Sequence, residues 1–177
     1  MREIRELISR VRIEERIAEL GRQIAEDYDG KELILVCTLK GAWIFHAALC
    51  LAIDPMRVRV IPDFLVASSY NGTESTGEVR IFKDLGMSIR GKHVLLVEDI
   101  VDTRRTVQAL LSLLELREPA TIGVCTLLDK KEREEIPIPL RYVGFEIPNE
   151  FVVGFGLDYD EGYRTLAFIG VLEDELS

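Results

Sequence analysis

Short runs of nearly uniform apolar residues recur along this chain, and they constrain its fold more than any other feature. They lie at residues 33–37, 94–97 and 122–128. Runs of this kind are typical of strands buried on both faces, since a half-exposed strand alternates apolar and polar side chains. Helical spacing follows the second run, at residues 107–114. Strands that alternate with helices predict an α/β fold, a parallel sheet with helices on both faces.

The other segments are consistent with one such domain. From residue 4 to about residue 24, apolar side chains recur at helical spacing with a change of phase near Arg12, which predicts one or two amphipathic helices. Residues 42–53 are apolar enough for a buried helix. Residues 68–77 are too polar to pack, which predicts a mobile functional loop. Further strands are predicted at residues 58–61, 64–67, 79–82 and 142–145.

Size and composition limit the classes of protein to which the chain can belong. Its 177 residues, 47% hydrophobic and 30% charged, suffice for one domain (residues 1–177) and exclude a disordered or fibrous protein. Against 31 Asp and Glu stand 22 Lys and Arg, a net charge of −9, so nucleic-acid binding has no global electrostatic support. The composition leaves open the possibility of a local basic patch.

The cysteines and the N-terminus indicate the compartment. Cys37, Cys50 and Cys125 lie in apolar runs without a close-spaced pair, which favours buried thiols in a reducing compartment over disulfides or a zinc site. The N-terminal residues are charged, unlike a signal peptide, and no apolar run reaches membrane-spanning length. We therefore expect a soluble, cytoplasmic protein with no membrane partner.

The strongest chemical signal follows the second apolar run. Glu98 and Asp99 stand at the carboxyl end of the predicted strand, Asp102 and Thr103 follow in a turn, and a helix begins near Thr106. In an open parallel sheet, ligands bind beyond this end of the strands. Helix amides and hydroxyls there suit a phosphate, while adjacent acids suit ribose hydroxyls or Mg²⁺. Capping explains one acid but not three within five residues, so a binding site is favoured.

This segment resembles the signature of the type I phosphoribosyltransferases, which bind 5-phosphoribosyl 1-diphosphate. Four further stretches are similar, in order and spacing, to the hypoxanthine-guanine phosphoribosyltransferases, the purine-salvage enzymes. They are residues 39–42, 68–70, 127–130 and 143–164. The resemblance implies a parallel sheet flanked by helices as the core, at about residues 30–145. It also implies a small hood, formed by the N-terminal helices and about residues 146–177, and a mobile active-site loop.

The resemblance also implies a reaction. In the family, Mg²⁺-dependent transfer of the phosphoribosyl group to hypoxanthine or guanine gives IMP or GMP and diphosphate. The transition state is similar to an oxocarbenium ion, so neutralising the leaving-group charge and aligning the substrates lower the barrier. Asp102 is then the general base at N7 of the purine. Glu98 and Asp99 hold the ribose hydroxyls and help order the metal, and Asp158 binds a second Mg²⁺.

On the phosphate side, the resemblance assigns the 5′-phosphate to the turn at residues 103–106, that is, Thr103, Arg104, Arg105 and Thr106. Lys40, Gly41 and Arg164 contact the diphosphate, and the family commonly has a cis peptide bond between Leu39 and Lys40. Arg104 departs from the family, which usually has glycine there. Its side chain either points away or serves as an extra phosphate ligand, and the sequence leaves both possibilities open.

On the base side, the resemblance assigns Lys130 to the 6-oxo group of the purine. An ammonium donor there rejects adenine, whose 6-amino group is also a donor. Phe151 stacks on the ring and Val152 offers its backbone to the base edge. Ser69 and Tyr70 close over the site and exclude water.

Two functions from different classes share these features. The first is the purine-salvage enzyme, for which a homodimer or homotetramer is expected from the family. The second is a regulator on the same fold that senses the sugar diphosphate and binds RNA. Asp102, Lys130 and the segment around Phe151 favour the enzyme, and a charge of −9 offers little basic surface for RNA. No nucleic-acid partner is therefore expected.

Overall fold

The apolar runs form the interior strands of a six-stranded sheet in the computed structural model, which describes residues 3–69 and 79–173. The strands are β2 (Glu32–Leu39), β3 (Arg59–Ser69), β4 (Val79–Lys83), β5 (His93–Val101), β6 (Thr121–Asp129) and β7 (Tyr142–Glu146). In the order β4-β3-β2-β5-β6-β7, every neighbouring pair is parallel except β3 with β4. The predicted parallel sheet is confirmed.

Helices cover both faces of this sheet. Helices α1 (Arg10–Asp27) and α2 (Trp43–Ala52) pack on one face, where Leu33 and Leu95 join Phe45 in one buried cluster. Helix α3 (Arg105–Glu115) packs on the other, where Leu110 contacts the cluster around Ile34. Successive strand residues point to opposite faces, and both faces are buried, so the runs lack polar alternation.

The N-terminal segment differs from its prediction. Ile4–Ile8 is a strand, β1, which pairs antiparallel with β9 (Ile169–Leu172). Strand β8 (Val152–Val153) completes a three-stranded sheet in the order β1-β9-β8. The helix predicted from residue 4 is therefore wrong before Ser9, whose hydroxyl caps α1. Three apolar positions among five residues are compatible with both the helical and the strand periodicity. Pairing with the distant strand β9 therefore decides the structure of this segment.

The hood accordingly differs from the implied one. It is a small sheet made by both ends of the chain, whereas α1 belongs to the core and packs against α2 and the main sheet. Strand β3 also differs, since it runs unbroken through Pro62, where β4 does not yet pair with it. Strand β3 includes Ser68 and Ser69, the first two residues of the predicted loop, and residues 70–78, Tyr70 among them, lie outside the described residues. None of the helices in the described ranges is long and apolar enough to cross a membrane.

Candidate active site

The carboxyl ends of β2, β5 and β6 meet at one edge of the sheet and bring predicted site residues together. Lys40 directly follows β2 and Lys130 directly follows β6. A cavity of about 230 Å³ opens at the end of β5. Six of the predicted residues line it: Glu98, Asp99, Asp102, Thr103, Arg104 and Thr106. The geometry is that of a ligand crevice at the end of a parallel sheet.

The turn before α3 forms the expected anion cradle. The first amides of the helix have no partner within the helix and carry partial positive charge, which suits a phosphate. Arg104 stands directly before the helix with φ 69° and ψ −4°, the left-handed conformation that glycine adopts without steric cost. The side chain of Arg105 reaches Glu135 at 2.6 Å.

The guanidinium of Arg104 is directed away from the cradle. It lies within 3.1 Å of the carboxylates of Asp129 and Glu134 and donates to the carbonyl oxygen of Ile138 at 2.5 Å. Of the two possibilities open from the sequence, the structure therefore shows the first. The possibility that the Arg104 side chain is an additional phosphate ligand is therefore wrong. The backbone of Arg104 lines the cavity, and its guanidinium pairs with the acids behind it.

Glu98 and Asp99 are adjacent acids in a poorly solvated place. Burial, with the charge of Asp99 adding to it, raises the pKa of Glu98 to about 8, although the Thr38 hydroxyl donates to its Oε1 at 2.8 Å. Burial likewise raises the pKa of Asp99 to about 6. The Gly41 backbone packs so closely on the Asp99 carboxylate that a Cβ at Gly41 would overlap it. For both carboxylates the cost of burial outweighs the groups that favour the ionised form, which are the Thr38 hydroxyl beside Glu98 and the positive charge of Arg164 near Asp99.

This burial predicts a pH dependence of stability. Between the ordinary pKa of 4.5 and about 8, Glu98 is protonated when folded and ionised when unfolded, so unfolding releases a proton and stability falls as pH rises. We expect the melting temperature of the ligand-free protein to fall by several degrees from about pH 5 to about pH 8. Glu98→Gln should flatten this slope, and Glu14→Gln on the exposed face of α1 should not. An equal slope in Glu98→Gln would contradict the prediction.

Asp102 and Lys130 lie together because they follow neighbouring strands. The Nζ of Lys130 is 3.9 Å from Oδ2 of Asp102, and the Lys130 backbone amide donates to the Val101 carbonyl at 2.9 Å. Arg133 donates from Nε to the other carboxylate oxygen at 3.0 Å. Sequence reasoning missed Arg133, because an arginine within a charged run is normally a solvated surface residue.

The hood closes the other side of the site. Arg164 donates to the carbonyl of Gly156 at 2.8 Å and lies 3.0 Å from Asp158. A Cβ at Gly156 would overlap the carbonyl of Gly41, so the hood touches the turn after β2 directly. The charges of Asp158 and Arg164 also act on the pKa of Asp99, with opposite signs, which places all three in one electrostatic unit.

Glu161 bridges the two cations that were assigned to the diphosphate. Its carboxylate lies 3.1 Å from Nζ of Lys40 and 3.1 Å from Nη2 of Arg164. Sequence reasoning missed this residue too, since nothing in the pattern separates it from an ordinary exposed acid. The peptide bond between Leu39 and Lys40 is cis, as the resemblance implied.

The remaining predicted residues border the base side. Phe151 is 53% exposed and meets Tyr159 edge to face, with ring centroids 5.8 Å apart, so its ring is not a core aromatic. Val152 is buried in β8, opposite Val171. Ser69 ends β3.

The carboxylates fit a metal that arrives with its substrate. Within residues 3–69 and 79–173, no group of three His, Cys, Asp or Glu side chains is placed to hold a metal ion by itself. Mg²⁺ is typically held by one or two carboxylates together with substrate phosphates and water. The charge of Asp158 raises the pKa of Asp99, so the pair of carboxylates suits such a cation.

Comparison with known proteins identifies the chemistry that this architecture serves. The family model described as "Phosphoribosyl transferase domain" matches residues 6–160. The hypoxanthine phosphoribosyltransferase of Salmonella typhimurium is 49% identical over 96% of this chain and 96% of that protein. The hypoxanthine-guanine phosphoribosyltransferase of Streptococcus thermophilus is 46% identical over 96% of this chain and 93% of that protein.

Solved structures share the fold. The hypoxanthine-guanine phosphoribosyltransferase of Bacillus anthracis matches with a TM-score of 0.91 and 42% identity, over 97% of this chain and all of that one. The fold and the site thus define a phosphoribosyltransferase, which confirms the expectation of an enzyme of the glycosyltransferase type. With such identity over nearly its whole length, the chain belongs to the hypoxanthine-guanine phosphoribosyltransferase family.

Proposed function

We propose that this chain transfers the phosphoribosyl group of 5-phosphoribosyl 1-diphosphate to hypoxanthine or guanine, giving IMP or GMP and diphosphate. The observation that carries the proposal is the convergence of three parts at one sheet edge. They are the anion cradle before α3, the buried acids Glu98 and Asp99, and the pair of Asp102 with Lys130. Each part suits one portion of the product nucleotide: phosphate, ribose and base.

Asp102 and Lys130 perform the base chemistry. N9 of the purine attacks the anomeric carbon, the bond to diphosphate breaks, and the proton on N7 passes to the Asp102 carboxylate. Lys130 donates to the 6-oxo group, and its side chain is only 11% exposed, so a substrate without that acceptor leaves the ammonium unsatisfied. Arg133 holds the Asp102 carboxylate from the opposite side at 3.0 Å.

Lys40 and Arg164 receive the leaving diphosphate, whose charge grows as the bond breaks. Glu98 and Asp99 hold the ribose hydroxyls and keep the sugar aligned. Mg²⁺, held by Asp99 and Asp158 with the substrate oxygens, would supply further neutralisation of the diphosphate charge.

Removing the charge of Glu161 should strengthen binding of the sugar diphosphate. In the ligand-free site Glu161 pairs with Lys40 and Arg164, so the incoming anion must displace it. The Lys40 pair is exposed and therefore weak, so we expect Glu161→Gln to lower the KM for the sugar diphosphate by about two- to fivefold. Asp160→Asn, a neighbouring exposed acid, is the matched control. A raised KM in Glu161→Gln would show that the carboxylate assists binding instead.

We also propose that the chain forms a homodimer or a homotetramer. Trp43, Leu51 and Phe64 are exposed by 45%, 88% and 38% and border an apolar cavity of about 730 Å³ beside α2. Apolar patches of this kind mark contact surfaces. In the Trypanosoma cruzi hypoxanthine phosphoribosyl transferase, the C-terminal region has been examined for its role in the oligomeric state. A monomeric mass in analytical ultracentrifugation would contradict this proposal.

The RNA-binding alternative is not supported by the charges around the site. Lys40, Arg104 and Arg133 each pair with carboxylates, and the chain carries a net charge of −9.

Three cysteines without a disulfide support the proposed cytoplasmic location. Steady-state transfer assays with Mg²⁺ and hypoxanthine, guanine, xanthine or adenine test the function. We expect turnover with hypoxanthine or guanine and little with adenine; no transfer to any 6-oxopurine would overturn the proposal.

A further inference from the structure

Arg104 combines a costly backbone conformation with an unusually buried charge. Its φ of 69° lies in the region that L residues with a side chain rarely adopt, in the middle of the anion cradle. The side chain of this residue is nevertheless only 7% exposed. A residue that keeps both features needs strong local contacts to hold it there.

Among the described residues, the partners of the Arg104 guanidinium lie in the segment at residues 129–138. The guanidinium lies 3.1 and 3.3 Å from the two carboxylate oxygens of Asp129, the last residue of β6. It also lies 3.1 Å from Glu134 and donates to the carbonyl of Ile138. Asp129 is itself 3% exposed and immediately precedes Lys130.

Further contacts join the same two segments. The Lys130 amide donates to the Val101 carbonyl at 2.9 Å, and the Glu135 amide donates to the Thr103 carbonyl at 3.4 Å. These two bonds join the segments at residues 101 and 103. The Arg104 side chain contacts Asp129, Glu134 and Ile138, so its contacts span the 129–138 segment. The anion cradle and the base-recognising lysine are therefore parts of one charge-paired unit.

We propose that Arg104 is a positioning residue that sets the distance between the bound 5′-phosphate and Lys130 before substrate arrives. Its guanidinium contacts neither group; it holds the 129–138 segment against the cradle through Asp129. The inference rests on the proposed function for the role of Lys130. A preset distance lets one nucleotide engage both ends of the site without reorganising it, so phosphate and base should reinforce each other's binding.

Binding of GMP and of ribose 5-phosphate, measured by titration calorimetry, tests this coupling. Arg104→Gly removes the guanidinium and its contacts to residues 129–138, and glycine accepts the left-handed conformation at this position. We expect it to weaken GMP binding by about tenfold, within the usual range of coupling between sites, and ribose 5-phosphate binding by much less. Arg117→Gly breaks a bidentate Arg–Asp pair with Asp84 beyond the other end of α3 and should change neither.

A second variant separates positioning from folding. Arg104→Gly leaves Asp129 buried without its partner, which lowers stability by itself. Arg104→Gly with Asp129→Asn removes that charge, so the melting temperature should recover while GMP binding stays weak. Recovery of GMP affinity together with stability, or an equal loss for GMP and ribose 5-phosphate, would overturn the proposal. Because binding needs no turnover, an inactive wild type that binds GMP would refute the function and still leave the coupling measurable.

Discussion

Replacing Asp102 by asparagine should lower kcat by about 10²- to 10⁴-fold, the range that a positioned general base contributes, while the KM values change little. The amide keeps the size of the side chain and its oxygen can still accept from Arg133, so the pocket keeps its shape. It cannot accept the proton from N7 at neutral pH. Steady-state kinetics with hypoxanthine measures both constants.

The matched control for this variant is Asp29→Asn. Asp29 is also an aspartate paired with an arginine, Arg57, at 3.1 Å, and it precedes β2, at the opposite end of the strand from Lys40. We expect its kinetics to equal those of the wild type. If Asp102→Asn turns over as fast as the wild type, Asp102 is not the base.

Replacing Lys130 by methionine should remove the preference for 6-oxopurines. Loss of the ammonium takes away a contact to the 6-oxo group and with it the penalty against a 6-amino group. We expect kcat/KM for hypoxanthine to fall by about 10²-fold or more, and the ratio of hypoxanthine to adenine to fall with it. Competition assays with the two bases measure this ratio directly.

Lys131→Met offers a neighbouring control. Lys131 carries the same charge one residue further on, but its side chain is 64% exposed and pairs with Glu146 at 3.3 Å. The substitution should leave discrimination between the bases intact. Unchanged rejection of adenine in Lys130→Met would remove Lys130 from base recognition.

The centre of the site was predictable because its residues stand directly after strands that the sequence marks clearly. An uninterrupted apolar run locates β5, and parallel strands deliver their carboxyl ends to one edge, so Glu98, Asp99 and Asp102 follow. Lys130 is predictable in the same way after β6. The roles of Arg164 and Asp158 rested on the family pattern, because local sequence gives no reason for their approach to Asp99.

The parts that escaped prediction depend on partners far away in the chain. Strand β1 is decided by pairing with β9, more than 160 residues later, and its five residues carry no clear period. The direction of the Arg104 side chain is decided by Asp129 and Glu134. Arg133 and Glu161 look like surface charges until the fold places them against Asp102 and Lys40. Charge pairs between loops have no local signature.

A crystal structure of the protein with bound GMP tests the proposed site as a whole. We expect the 5′-phosphate on the amides of residues 103–106, the ribose hydroxyls within hydrogen-bond distance of Glu98 and Asp99, and the base between Lys130 and Phe151. GMP bound at another surface, or a ribose that neither acid reaches, would contradict it.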